Sequence, residues 1–127
     1  MSYQHSVTVL ENVIHVDVSG IRTPETIAQD SMVIWAEVLF TSKSSNVRNV
    51  LYVSHVTGKI PVLDAYDVIE KFGQQNWEGL KIAYVALDES SREDVMMLKA
   101  IATQYTIHCQ MFTNERDALE WLTDPIT

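Results

Sequence analysis

The chain has 127 residues, of which 46% are hydrophobic and 20% charged, the size of one domain with enough apolar material for its own core. Its formal net charge of −8 repels phosphate backbones and anionic headgroups, so nucleic-acid binding is disfavoured and any membrane contact has to be hydrophobic. The single cysteine, Cys109, excludes an intramolecular disulfide and fits a reducing, cytoplasmic setting.

The acidity is uneven. Residues 1–60 hold four Lys/Arg against five Asp/Glu, whereas residues 61–127 hold five against twelve. Met1–His5 has neither the basic start nor the apolar run of a signal peptide, and no window has the apolar length to span a bilayer. There is no repeat, low-complexity tract or linker, so residues 1–127 read as one domain.

Ser6–Glu11 alternates as a short strand, Glu11-Asn12 forms a tight turn, and Val13–Ser19 returns with Ile14, Val16 and Val18 on one face. Together they predict a β-hairpin, closed by Gly20. Thr23-Pro24-Glu25 is a helix start: a capping Thr, Pro at the first helical position and an acid in the first turn. This first helix is expected to reach about Thr41, with serine-rich 42–46 as the loop after it. Val50-Leu51-Tyr52-Val53, within Arg48–Ser54, is apolar on both faces and marks a central strand. Pro61 opens a second helix to about Asn76, with Val62, Ala65, Val68, Ile69 and Phe72 at helical spacing. Ile82–Leu87 is a second two-sided strand.

Ser90 with Glu93 matches a capping box for a third helix, expected to reach about Gln104. Ile107–Phe112 alternates as a last strand. Asn114 with Asp117 caps a short fourth helix ending near Leu122. The order β-β-α-β-α-β-α-β-α predicts an α/β fold: a mixed, mostly parallel five-stranded sheet with an N-terminal hairpin and four helices.

That order, the hairpin closed by Ser19-Gly20 and the terminal run Phe112-Thr113-Asn114-Glu115-Arg116-Asp117-Ala118-Leu119-Glu120-Trp121-Leu122 together resemble the SpoIIAA-like family of STAS/Sec14-type domains. Ala118, Glu120, Trp121 and Leu122 carry the match, and they are structural, sealing the last helix onto the sheet. The family is similar to two better-known groups. In anti-sigma-factor antagonists a serine at the start of a helix after a central strand is phosphorylated to break a protein complex. In the CRAL-TRIO lipid-transfer fold a helix moves aside to admit an apolar ligand.

The resemblance therefore implies a non-enzymatic binding module. Its first form accepts an apolar small molecule or lipid under a movable second helix bracketed by Gly58, Gly73 and Gly79, in peripheral contact with a membrane surface. Leu63, Tyr66, Phe72 and Trp77 are the expected pocket residues. Ser54, His55 and Asp88 stand at the carboxyl ends of the parallel strands, where open α/β sheets bind ligands. The alternative is a dimeric protein-interaction module of the anti-sigma-factor-antagonist type, without a small ligand. The phosphoswitch lacks its serine: Thr57-Gly58-Lys59-Ile60-Pro61-Val62-Leu63-Asp64-Ala65-Tyr66 puts Pro61 in the first helical turn. Ser90 and Ser91, at the start of the next helix, remain weaker phosphorylation candidates.

The first helix is apolar nearly all round. Ile27, Ile34, Trp35 and Val38 are expected to face the sheet, which leaves a second stripe, Met32, Val33, Ala36 and Phe40, pointing away. An uncovered stripe of this kind calls for a second subunit, a neighbouring segment, or an apolar ligand or membrane.

No catalytic residues are assigned. His55 with Asp88 resembles a base and its orienter, but adjacent Ser54 and His55 diverge too much for a nucleophile and its base. No nucleophile elbow, phosphate-binding glycine loop or cofactor motif occurs. His5, His15, His55 and His108 show no metal-ligand spacing. Cys109 is expected to be buried and inert, and Met96, off the apolar stripe of the third helix, hints at a contact surface.

Overall fold

The computed structural model describes residues 3–21, 27–57, 70, 79–89, 92, 96, 99–100 and 108–123. In chain order these form β1 (Tyr3–Leu10), β2 (Val13–Gly20), α1 (Ile27–Ser45), β3 (Asn49–Ser54), β4 (Lys81–Ala86), β5 (His108–Phe112) and α2 (Glu115–Thr123). The strands make one five-stranded sheet in the order β1-β2-β3-β4-β5. β1 and β2 are antiparallel, and every later pairing is parallel.

The hairpin follows from its turn. Glu11 and Asn12 both have positive φ, 52° and 63°, the geometry of the two-residue turn whose twist matches paired strands. It sets Leu10 opposite Val13 and, through alternation, Val7 opposite Val16. β3 and β4 are buried on both faces, which explains why their sequences lack a polar alternation.

Each face of the sheet has its own core. Ile14, Val16, Val18, Val50, Tyr52 and Ile82 pack with Ile34, Trp35 and Val38 of α1 on one side. On the other, Val13, Leu51, Val53, Ala83 and Val85 pack with Ala118 and Leu122 of α2. The first core holds an aromatic column. Trp35 and Tyr52 stack with centroids 4.8 Å apart, and Tyr52 stacks in turn on Tyr84, also at 4.8 Å. The Tyr52–Tyr84 contact follows directly from the parallel register of β3 and β4.

α1 is longer than its sequence announces. Residues 42–45, expected in a loop, complete its last turn. Serine is a loop signal because its hydroxyl competes for backbone groups, yet here the hydroxyls serve the helix. Ser44 Oγ donates to the Phe40 carbonyl at 2.8 Å and Ser45 Oγ to that of Thr41 at 2.6 Å. Buried Ser42 donates to the Val47 carbonyl at 2.6 Å. The helix stops at Asn46, whose φ of 57° is the left-handed C-cap conformation.

α2 starts as its sequence predicts: Asn114 Oδ1 accepts the Asp117 N–H at 2.9 Å. Of the four expected helices, the last is seen from its cap onward and the first from Ile27, its expected start at Thr23-Pro24-Glu25 lying outside the described residues. The second and third fall largely outside the described residues, where the single positions Glu70, Arg92, Met96, Lys99 and Ala100 are helical. No described helix is long and apolar enough to cross a membrane.

Candidate functional site

Three regions carried functional expectations: the rim at the carboxyl ends of the parallel strands, the outer face of α1, and the second helix with its pocket. Leu63, Tyr66, Phe72 and Trp77 lie outside the described residues, as do Ser90, Ser91, Gly58, Gly73 and the stretch 58–66 compared with the phosphoswitch.

The rim is polar but internally committed. Ser54 is buried, and its Oγ accepts the Val56 N–H at 3.2 Å. Its carbonyl takes the Leu87 N–H, while the His55 N–H bonds the Val18 carbonyl. These bonds tie the loop after β3 to both neighbouring strands. Sequence reasoning paired His55 with Asp88. In the structure His55 Nε2 lies 3.4 Å from Asp17 Oδ1 on β2, both side chains being largely exposed. The parallel register sets Asp17 beside Val53, which brings its carboxylate within reach of a ring two residues further on. Asp88 is half-buried beyond the end of β4. Among the described residues no group of three metal-ligating side chains comes together.

The outer face of α1 is apolar and open. Phe40 is 71% exposed and Val33 58%, and Ala36 between them is exposed as well. Met32, placed with them by spacing, is instead half-buried and packs on the core beside Ile34 and Trp35. It marks the edge of the stripe rather than its centre. The helix is fixed beside the hairpin by a pair across its flank, His5 Nε2 and Glu37 Oε1 at 3.3 Å. Asp30 in its first turn has one buried carboxylate oxygen with no hydrogen-bond partner, a position where the helix dipole favours negative charge.

At the far edge of the sheet, Trp121 is locked by contacts with several described residues. Its ring meets Phe112 at 5.7 Å and the edge of His108 at 5.2 Å, and Lys81 Nζ sits 4.5 Å from its centroid. Lys81 also donates to the Trp121 carbonyl in the last turn of α2. Nearby Cys109 is a half-buried free thiol whose pKa burial pushes up to about 11, the Lys99 charge opposing weakly. This region is structural, as the terminal sequence motif implies.

Across 97% of this chain and 96% of the other, the fold superimposes on the crystal structure of an anti-sigma factor antagonist from Mycobacterium paratuberculosis, with a TM-score of 0.62 at 16% sequence identity. The chain has the SpoIIAA-like fold. The likeness covers the hairpin, the parallel strands and the terminal helix alike, so the resemblance carried by Ala118, Trp121 and Leu122 extends to the architecture. At this identity it speaks for the SpoIIAA-like fold and not for individual side chains. No protein-family model matches the sequence, and no curated protein is significantly similar to it.

The outer face of α1 was found by counting apolar positions on a helical wheel. The tie between His55 and Asp17 was missed, because its only signal is the pairing of β2 with β3, which neither segment announces.

Proposed function

We propose that the chain is a non-enzymatic regulatory module that acts by docking on another protein, with the outer face of α1 as its contact surface. The observation that carries this is the open apolar face of Val33, Ala36 and Phe40 on a helix whose opposite face is fully committed to the core. A ring as large as Phe40, exposed beside a second apolar side chain, is the kind of anchor a protein partner buries. The full-length structural likeness to an anti-sigma factor antagonist supports the same class by analogy of fold. The rim supports it from the other side, since Ser54 and His55 are taken up in holding strands together.

The carrier reading, an apolar ligand under the second helix, has no such observation behind it: Leu63, Tyr66, Phe72 and Trp77 lie outside the described residues, and Ser54, His55 and Asp88 form a polar rim. The regulatory module proposed here does not use a serine phosphoswitch at the start of that helix, where the sequence has Pro61 and no serine.

The test is Phe40→Asp. Binding of the native partner, isolated with the wild-type chain as bait and then purified for titration, is expected to weaken at least about a hundredfold, as befits an anchor residue. The melting temperature should stay within a degree or two, because the ring is on the surface. Unchanged affinity removes α1 as the contact surface.

A further inference from the structure

The second surface feature lies at the other boundary of the hairpin. β1 is an edge strand with no described strand on its outer side, and among the described residues it shows none of the usual sequence protections of an edge. Tyr3–Leu10 contains no lysine, no proline and no charged side chain, and its pairing to β2 runs without a bulge. Val9 is 41% exposed and Leu10 57%. The opposite edge is different: β5 has only five residues, and its Gln110 side chain is held by Lys99 Nζ, which donates to Oε1 at 2.9 Å.

The backbone groups facing outward can be assigned. In a two-residue hairpin the pair flanking the turn, here Leu10 and Val13, is hydrogen-bonded, and bonded and non-bonded pairs then alternate. The Val18 carbonyl confirms the phase, since it points away from β1 and accepts from the His55 N–H. Its partner His5 therefore points its own N–H and carbonyl off the free edge, as do Tyr3, Val7 and Val9.

We propose that β1 pairs antiparallel with β1 of a second copy of this chain, about a two-fold axis at Ser6, making a continuous ten-stranded sheet. The four outward residues are symmetric about Ser6. A copy rotated about that point sets His5 opposite Val7 and Tyr3 opposite Val9, and every outward donor and acceptor is used. On the opposite face it sets Gln4 against Thr8 and Ser6 against Ser6, with no like-charge pair. Electrostatics select a second copy. The whole chain carries −8, while residues 1–10 have no charged side chain, so this edge is where two identical acidic molecules meet with least repulsion. The pairing does not use the outer face of α1, so it stands or falls separately from the docking proposed above.

Engineered cysteines test the register in the full chain. Ser6 would face its own copy in a non-bonded pair, with Cα atoms about 4.5 Å apart, inside the range a disulfide bridges. Thr8 would face Gln4, and two copies of Thr8 would be roughly 14 Å apart. Ser6→Cys is therefore expected to form a covalent dimer under mild oxidation at least roughly tenfold faster than Thr8→Cys. Both variants carry Cys109→Ser, so that the half-buried native thiol does not compete. Ser6→Lys, which opposes two lysines only in the dimer, is expected to sediment as a monomer at concentrations where wild type is a dimer, and its melting temperature should no longer rise with protein concentration as that of the wild type does. Equal cross-linking of the two cysteine variants, or a wild-type chain that stays monomeric into the high micromolar range, overturns the proposal.

Discussion

Asn114 governs the start of α2 through one hydrogen bond to the Asp117 N–H and a second from its Nδ2 to the Asp117 carboxylate at 3.1 Å. Replacing it with alanine leaves a helix N–H to water and is expected to cost about 1 kcal/mol in urea unfolding. Trp35 and Tyr52 are coupled more strongly. Trp35→Ala removes a buried ring and its stack on Tyr52, and a loss of about 3–5 kcal/mol is expected. Cys109 gives a prediction with a sign. Burial raises its pKa from 9.0 to about 11, so the folded thiol should resist disulfide reagents at pH 8 while the unfolded chain reacts promptly. The same shift means that its ionisation favours the unfolded state at high pH. The contribution is neutral below about pH 9, turns against folding as pH rises from 9 towards 11, and is constant above that. A cysteine-to-serine control should flatten that part of the stability profile.

Among the elements, the turn of the hairpin leaves room for improvement. Glu11 and Asn12 both hold positive φ, and glutamate is a poor residue for it. Glu11→Asn with Asn12→Gly is expected to raise stability by roughly 0.5–1 kcal/mol, read as a higher urea midpoint. The strands were legible because their burial differs: β2 alternates, while β3 and β4 are covered on both faces. The inner stripe of α1 was legible for the matching reason, since Ile34, Trp35 and Val38 recur at helical spacing and all three are buried. The end of α1 was not legible. Four residues rich in serine carry a loop signal, and only the back-bonds of Ser44 and Ser45 show that the helix uses them. Met32 was misplaced for a related reason: a residue on the border of two helical faces goes where tertiary packing takes it, and here that is the core.

For the whole molecule, the SpoIIAA-like fold was legible from the order of elements and from the Trp121–Leu122 ending. The candidate site was legible only in part. Val33, Ala36 and Phe40 could be read from spacing, because exposure on a helix is periodic. The contact of His55 with Asp17 depends on which strands become neighbours, a long-range property that neither local segment encodes. The open α1 face and the free β1 edge flank the same hairpin, and both lie in the half of the chain that carries little net charge.

The central claim, that this chain works by binding a protein, is tested most directly by native mass spectrometry of the tagged chain recovered from its own cells, wild type beside Phe40→Asp. A protein partner in stoichiometric amount with the wild type and absent from the variant is the expected result. A lipid-sized adduct on both chains, with no protein partner on either, would contradict it and return the module to the carriers of apolar ligands.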